Sequence, residues 1–430
     1  MPIIETLAAR EILDSRGRPT IGATCTLAGG ASAWASVPSG ASTGKAEALE
    51  MRDRDTSRYD GLGCRRAVDN VNKEINHSLA GRDFVSQADL DGALLKLDGT
   101  ESKSRLGANA ILAVSIAFAR AVARQKGLPL YQHFSDLIER PPRLPRLTVN
   151  LFSGGKHAGG QVQIQDVLVV PVAARTIDES LATTYAVYQA AIKLSRQRYH
   201  SRPLVADEGG LAPPFEDAEA MLKLCVDAIR AARFEPGRDV AIAIDVASSH
   251  FYTDGHYHLA DVPLTSRRMI DQLVQWADRY PIVSVEDGLA EDDWENWPLL
   301  REAIAGRAIV MGDDLLCTKP SRIRRAIDSG AADALLLKVN QIGTLTEAAE
   351  SCMLARSAGW AVTVSARSGE TEDDWLADLA VGWAGDYIKV GSITRSERLA
   401  KYNRLLGIES ESGLDLAPVA RPTNPRTGKR

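Results

Sequence analysis

Cysteine is scarce. There are five in 430 residues (Cys25, Cys64, Cys225, Cys317 and Cys352), odd in number, scattered and never spaced as C-x-x-C. That pattern excludes a disulfide framework and a cysteine zinc site, and it predicts a reducing compartment. A chain of this length buries enough surface to need no such staples. Positive charge is not in excess either: 51 lysines and arginines face 56 acidic residues, a net charge of −5. The basic face that nucleic acid requires is therefore not expected. Long apolar runs are missing too. The longest stretch without charge, residues 19–44, is interrupted by five glycines and two prolines and cannot span a bilayer. Residues 1–17 carry Glu5, Arg10, Glu11 and Asp14, which breaks any secretory apolar core. No G-x-G-x-x-G follows an early strand-like run, which removes the main sign of a dinucleotide-binding sheet. What remains is an ordinary globular composition, 45% apolar and 25% charged, and the expectation of a cytoplasmic enzyme without nucleic-acid or membrane partners. The length fits three domains, or fewer if one is a large barrel.

The first 139 residues read as strands followed by helices. Ile21, Ala23, Cys25 and Leu27 alternate with Thr20, Gly22, Thr24 and Thr26, the period of a half-buried strand. Ala28-Gly29-Gly30 supplies a turn, and residues 31–37 alternate again, which predicts a hairpin. Val68, Val71, Ile75 and Leu79 then fall at helical spacing, and a second helix is expected from about Asn109 to Lys126, stopped by Gly127. Strands and helices segregated in this way predict an α+β domain. Residues 140–146, RPPRLPR, read as a proline-rich linker. Beyond it, short apolar runs alternate with amphipathic stretches: 166–171, 203–206, 240–244, 282–285, 308–312, 334–337, 361–365 and 387–390. Eight runs predict an α/β barrel over residues 147–412, less regular in its first turns, with 413–430 as a poorly packed tail.

A barrel places its chemistry at the carboxyl ends of its strands. There the sequence has Asp245, Glu286-Asp287, Asp313-Asp314, Lys338, Ala366-Arg367-Ser368 and Lys389. Carboxylates from three successive strands would crowd negative charge into one mouth, which a cation relieves. An all-oxygen set without Cys or His favours Mg²⁺ over zinc. Lys338 reads as a salt-bridge partner of these acids or, with its pKa lowered among other cations, as a base. In ADEGG, either Asp207 or Glu208 is a candidate acid. Arg367 and Ser368 offer a fork and a hydroxyl for a phosphate or carboxylate. PSGASTG (38–44) and SGGKHAGG (153–160) have the composition of mobile lids. A dication, a lysine base, a carboxyl acid and a cationic clamp together suit removal of a proton α to a carboxylate.

Taken together, EILDSRGRPT, PSGASTG, LGANAILAVS, DEGG, VEDGLAEDDW, GDDL, LLLKVNQIGTLTEA, RSGETEDDWLADLAVG and RSERLAKYNRLL resemble the enolase family over nearly the whole chain. These enzymes interconvert 2-phosphoglycerate and phosphoenolpyruvate and depend on magnesium. The resemblance implies an N-terminal α+β domain, a C-terminal barrel with irregular first turns, and a homodimer. It implies two Mg²⁺ per site, the first on Asp245, Glu286 and Asp313, the second dependent on substrate and held by Ser42. It further implies Lys338 as the base, Glu208 as the acid that helps the hydroxyl leave, and Lys389 as a second active-site lysine. Arg367 and Ser368 would meet the phosphate of a small phosphorylated carboxylate, and Gln165 and His157 would line the substrate.

Several positions depart from that pattern. Where the family has histidine before Arg-Ser-Gly-Glu-Thr, the chain has Ala366, and the family's Gln-Glu-Phe is Gln165-Asp166-Val167. Asn-Gly-Gly becomes Ser153-Gly154-Gly155, Ala-Pro-Asn becomes Ala212-Pro213-Pro214, Ala-Ser-Glu-Phe becomes Ser248-Ser249-His250-Phe251, and Lys-Thr-Gly becomes Lys389-Val390-Gly391. The last four read as drift. The loss of an imidazole and the shortening of an acid in one pocket read as a change of substrate site. Three readings follow. One is an ordinary glycolytic enolase. Another is a specialised enzyme admitting a second phosphorus-containing reactant, as in enolase homologues that make carboxyphosphonoenolpyruvate for phosphinothricin-type phosphonates. The third is a catalytically silent enolase-like binding protein, which the retained lysines, Glu208 and metal carboxylates argue against.

Overall fold

A computed structural model describes residues 1–41, 44–200, 202, 204–260 and 262–420. The N-terminal sheet is an antiparallel meander of β1 (Ile4–Leu13), β2 (Pro19–Leu27) and β3 (Ser32–Ser36). The expected hairpin is its second half. Helix Ala108–Lys126 covers the sheet, and nearly every residue as far as Ala123 is buried. Gly22 is obligatory in β2 because the Trp34 ring lies where its Cβ would stand, 2.0 Å away. The first predicted helix runs from Arg65 to Leu79, with a π-helical stretch over Val71–Ile75. All five cysteines are free and buried.

The second sheet closes on itself as an eight-stranded barrel: β4 (Arg146–Ser153), β5 (Asp166–Val170), β6 (Ala241–Asp245), β7 (Ile282–Glu286), β8 (Ile309–Gly312), β9 (Ala334–Leu337), β10 (Ala361–Ser365) and β11 (Tyr387–Lys389). β11 pairs with β4 to complete the ring. The irregular start lies in β5, which is antiparallel to both β4 and β6, whereas β6 to β11 run parallel. One expected strand is wrong. Residues 204–205 form only a two-residue ribbon with Leu211–Ala212, and Leu204 is 74% exposed. The missing strand is β4, which opens at Arg146, the last residue of the expected linker.

The tail also differs from expectation as far as residue 420. Leu416 bridges to Leu144, and the Ala417 N–H donates to the Leu144 carbonyl at 2.8 Å. Ala420 packs against two small buried clusters inside the barrel, one containing Leu168 and Tyr387 and the other Ile309 and Leu336, and its N–H donates to the Tyr387 hydroxyl at 3.0 Å. No helix among the described residues is long and apolar enough to cross a membrane.

Candidate active site

Four neighbouring strands bring a polar row to the mouth of the barrel. Ser153 on β4 is in register with Asp166 on β5, Asp166 with Asp245 on β6, and Asp245 with Glu286 on β7. Because β5 runs backwards, its first residue reaches the mouth. From the opposite side of the ring, Lys389 Nζ donates to Asp245 Oδ2 and to both Glu286 oxygens, each at 2.8 Å. Burial penalises every charge here, so the sharing is uneven. Burial opposes ionised Asp245, but Lys389 prevails and pulls it to about 2. Glu286 is pushed well above the usual carboxylate range by burial and by Asp245 beside it. Burial works against the Lys389 ammonium, yet Asp245 and Glu286 hold it well above an ordinary lysine.

Lys338, directly after β9, is ion-paired with Asp313, whose other oxygen accepts from Gln341 Nε2 at 2.8 Å. Burial disfavours its ammonium; Asp313 raises its pKa overall, and Arg367 opposes that rise. Asp287 has a left-handed backbone at φ 42°. Its carboxylate accepts from the backbone N–H groups of Asp313 (2.9 Å) and Asp314 (2.7 Å), so it holds the turn that presents Asp313.

Two groups of metal-capable side chains lie within 4.8 Å of one another among the described residues: His157–Asp166–Glu208 and Asp287–Asp313–Asp314. Neither is the expected set of Asp245, Glu286 and Asp313, which are bonded instead by Lys389 and Lys338. Their chemistry nevertheless fits Mg²⁺. All are hard oxygen donors, and three carboxylates face only two ammonium groups, Lys389 and Lys338, across this layer. Ser42, expected at the second ion, lies outside the described residues.

The acid side is built around His157, on a short helical turn at Gly155–Ala158. Its Nδ1 lies 3.1 Å from Asp166 Oδ2 and its Nε2 3.7 Å from Glu208 Oε1. Burial disfavours a charged ring, but Asp166 and Glu208 overcome it and raise the imidazole to about 9. Asn150 donates to Glu208 at 3.0 Å, and Gln165 to Asp245 at 2.9 Å. Asn150 Oδ1 and Gln165 Oε1 are buried without a partner. Of the two candidate acids, Asp207 is exposed and Glu208 is buried beside His157.

The expected anion clamp is engaged within the protein. Arg367 donates to both Glu47 oxygens at 3.1 Å and to Asn340 Oδ1 at 2.9 Å. The Ser368 hydroxyl accepts from the Ala41 N–H at 2.7 Å and from Arg16 at 3.2 Å. With Ser39 and Gly369 exchanging backbone hydrogen bonds, residues 39–41 are fastened to the barrel rather than free.

Residues 4–134 match the enolase N-terminal domain, and residues 142–419 match the enolase C-terminal TIM barrel domain. The chain belongs to the enolase family. Ala366 is a buried residue in this enolase-type mouth, its N–H donating to the Lys389 carbonyl at 2.9 Å. The sequence reading missed Asn150 and Glu47, which act through partners distant along the chain, and named Asp287 only as a strand-end acid. It also took His250 for drift. That ring, in the turn Ser248–Phe251 after β6, is pushed down to about 4 by burial and Lys156, and it feels the charges of Asp245, His157 and Asp313. An enolase-family mouth that lacks one imidazole at Ala366 thus has another at its rim.

Proposed function

We propose that this enolase-family, lyase-type enzyme abstracts the proton α to the carboxylate of 2-phosphoglycerate or a close analogue and expels the β-hydroxyl, giving a phosphoenolpyruvate-type product. The observation that carries the reading is the buried layer in which Lys389 bridges Asp245 and Glu286 while Lys338 faces Asp313. Mg²⁺ held by Asp245, Glu286 and Asp313 would supply positive charge for the substrate carboxylate. With Asp313 so engaged, burial and Arg367 favour the neutral Lys338 amine that a base needs. Lys338 takes the C2 proton, and the electron pair passes into the carboxylate as an enediolate near Lys389. The pair then forms the C2–C3 double bond as the C3–O bond breaks. The hydroxyl leaves as water with a proton supplied from the His157–Glu208 pair. Glu208 itself is held ionised by His157 against its burial, so the proton in store sits on the imidazole. A homodimer in the cytoplasm completes the proposal.

Within the family we infer a specialised enzyme that admits a second phosphorus-containing reactant, as carboxyphosphonoenolpyruvate-forming homologues do. Ala366 and Asp166 support this, since both shorten side chains in one pocket. The assay is phosphoenolpyruvate absorbance at saturating Mg²⁺ for wild type, Ala366→His, Asp166→Glu and the double variant. Wild type should convert 2-phosphoglycerate poorly, and Ala366→His should raise that rate, by up to about 10²–10³-fold if the imidazole supplies one transition-state hydrogen bond. Wild-type turnover of about 10–10³ s⁻¹ on 2-phosphoglycerate alone would identify an ordinary enolase.

A further inference from the structure

Two departures from the enolase pattern that lie thirteen residues apart in sequence meet in space. Ser153 Oγ donates to Asp166 Oδ1 at 2.6 Å, between residues paired in register across β4 and β5. Both side chains are buried, with no measurable exposure. The other Asp166 oxygen faces His157 Nδ1 at 3.1 Å. Ser153 is boxed in from behind: a Cβ on Gly210 would lie 2.3 Å from its hydroxyl oxygen. The hydroxyl thus packs against Gly210 on one side and is bonded to Asp166 on the other.

We propose that Ser153 is a positioning residue, and that Ser153 and Asp166 are one change made at two places. The short carboxylate can rotate about its own side chain. A hydrogen bond to one oxygen fixes that rotation and leaves the second oxygen aimed at His157, which in turn faces Glu208. A glutamate at 166 opposite Ser153 would carry its carboxylate past the hydroxyl. An asparagine at 153 opposite Asp166 would fill the space the carboxylate needs. Only the matched pairs, Ser with Asp or Asn with Glu, orient the imidazole. This inference rests on the reading of His157 and Glu208 as the proton-handling side of the site.

The test uses an isosteric pair, Ser153→Thr and Ser153→Val, which differ only in the hydroxyl. Threonine should keep kcat within about threefold of wild type. Valine should lower kcat by about tenfold or more, as expected for a hydrogen bond to a charged group, with KM within about twofold. Asp166→Glu alone should lose a similar factor, and Ser153→Asn with Asp166→Glu should recover most of it. Equal rates for the threonine and valine variants, or losses that simply multiply in the double variant, would overturn the proposal. A second readout needs no turnover: the hydrogen-bonded Nδ1 proton of His157 in ¹⁵N-histidine-labelled protein. Its resonance should persist in Ser153→Thr and move or broaden in Ser153→Val; an unmoved resonance would overturn the proposal. If wild type neither exchanges the C2 proton nor turns over with Mg²⁺, the functional reading fails, and the resonance still decides the role of Ser153.

Discussion

His133 in the N-terminal domain and His157 at the barrel mouth are almost equally hidden, 4% and 8% exposed, yet they are held in opposite states. Burial, aided by Lys126, pushes His133 down to about 4, and its Nδ1 has no partner. His157 suffers the same burial, but Asp166 and Glu208 carry it to about 9. Asp91 makes the same point for acids. It is completely buried between the N-terminal domain and helix Leu345–Ser357, where its hydrogen-bond partners are neutral groups, among them Gln87, Ser115 and the N–H and hydroxyl of Thr346. At the mouth, by contrast, carboxylates are answered by ammonium groups. Burial alone favours the neutral form; opposite charge overrides it at Asp245 and His157, whereas at Glu286 burial and the neighbouring Asp245 prevail. In the N-terminal domain Asp91 is held by neutral donors, whereas the buried acids of the mouth face charged partners.

The largest break in this contrast should come from Lys338→Ala. Solvent-deuterium exchange at C2 of 2-phosphoglycerate should fall by about 10²–10⁴-fold, the range for a lost general base. The fold and metal binding should survive, since Asp313 keeps its bond from Gln341. Undiminished exchange would show that another group is the base. Asp313→Asn should come next. Removing one of three charges should weaken Mg²⁺ by about tenfold or more, with activity partly restored by excess metal. Unchanged affinity in calorimetry would show that the three-carboxylate site is wrongly assigned.

The smallest effect concerns His133 and stability. Its folded-state pKa, about 4, lies below the ordinary 6.5. Between those values the unfolded chain binds more protons, so stability rises with pH there. The contribution is complete above pH 6.5 and is lost as pH falls towards 4. Urea unfolding of wild type and His133→Leu should give curves whose separation shifts against wild type on going from pH 7 to pH 4.5. A separation constant with pH would show that His133 titrates normally, and the contrast with His157 would lose one side.

Much of this was legible in the sequence because it is local. β2 and β3 alternate cleanly, and the acids that end β6 and β7 are written directly after their apolar runs. β1 escaped because a register shift between Ile4 and Thr6 sets its buried residues Ile4 and Leu7 three apart, and Glu5, Arg10 and Glu11 break up the rest of the run. β4 escaped because the prolines before it extended the apparent linker, and residues 203–206 then completed the count of eight. Asp166 could not be placed by a rule about strand ends, since only the reversal of β5 turns a strand's start towards the mouth. The remaining omissions are long-range by nature. Arg367 finds Glu47 across 320 residues of chain, and nothing local to either residue announces the other.

The fastening of residues 416–420 has a practical consequence for anyone handling this protein. Tyr387, which receives the Ala420 N–H, stands two residues before Lys389 on the same strand. A truncation before residue 416, or an affinity tag joined close behind 420, would disturb the footing of the strand that carries Lys389 rather than a dispensable end. Recombinant versions are better labelled at an exposed loop tip of the N-terminal domain, such as Gly29-Gly30 in the turn between β2 and β3, where added residues meet solvent instead of the barrel floor.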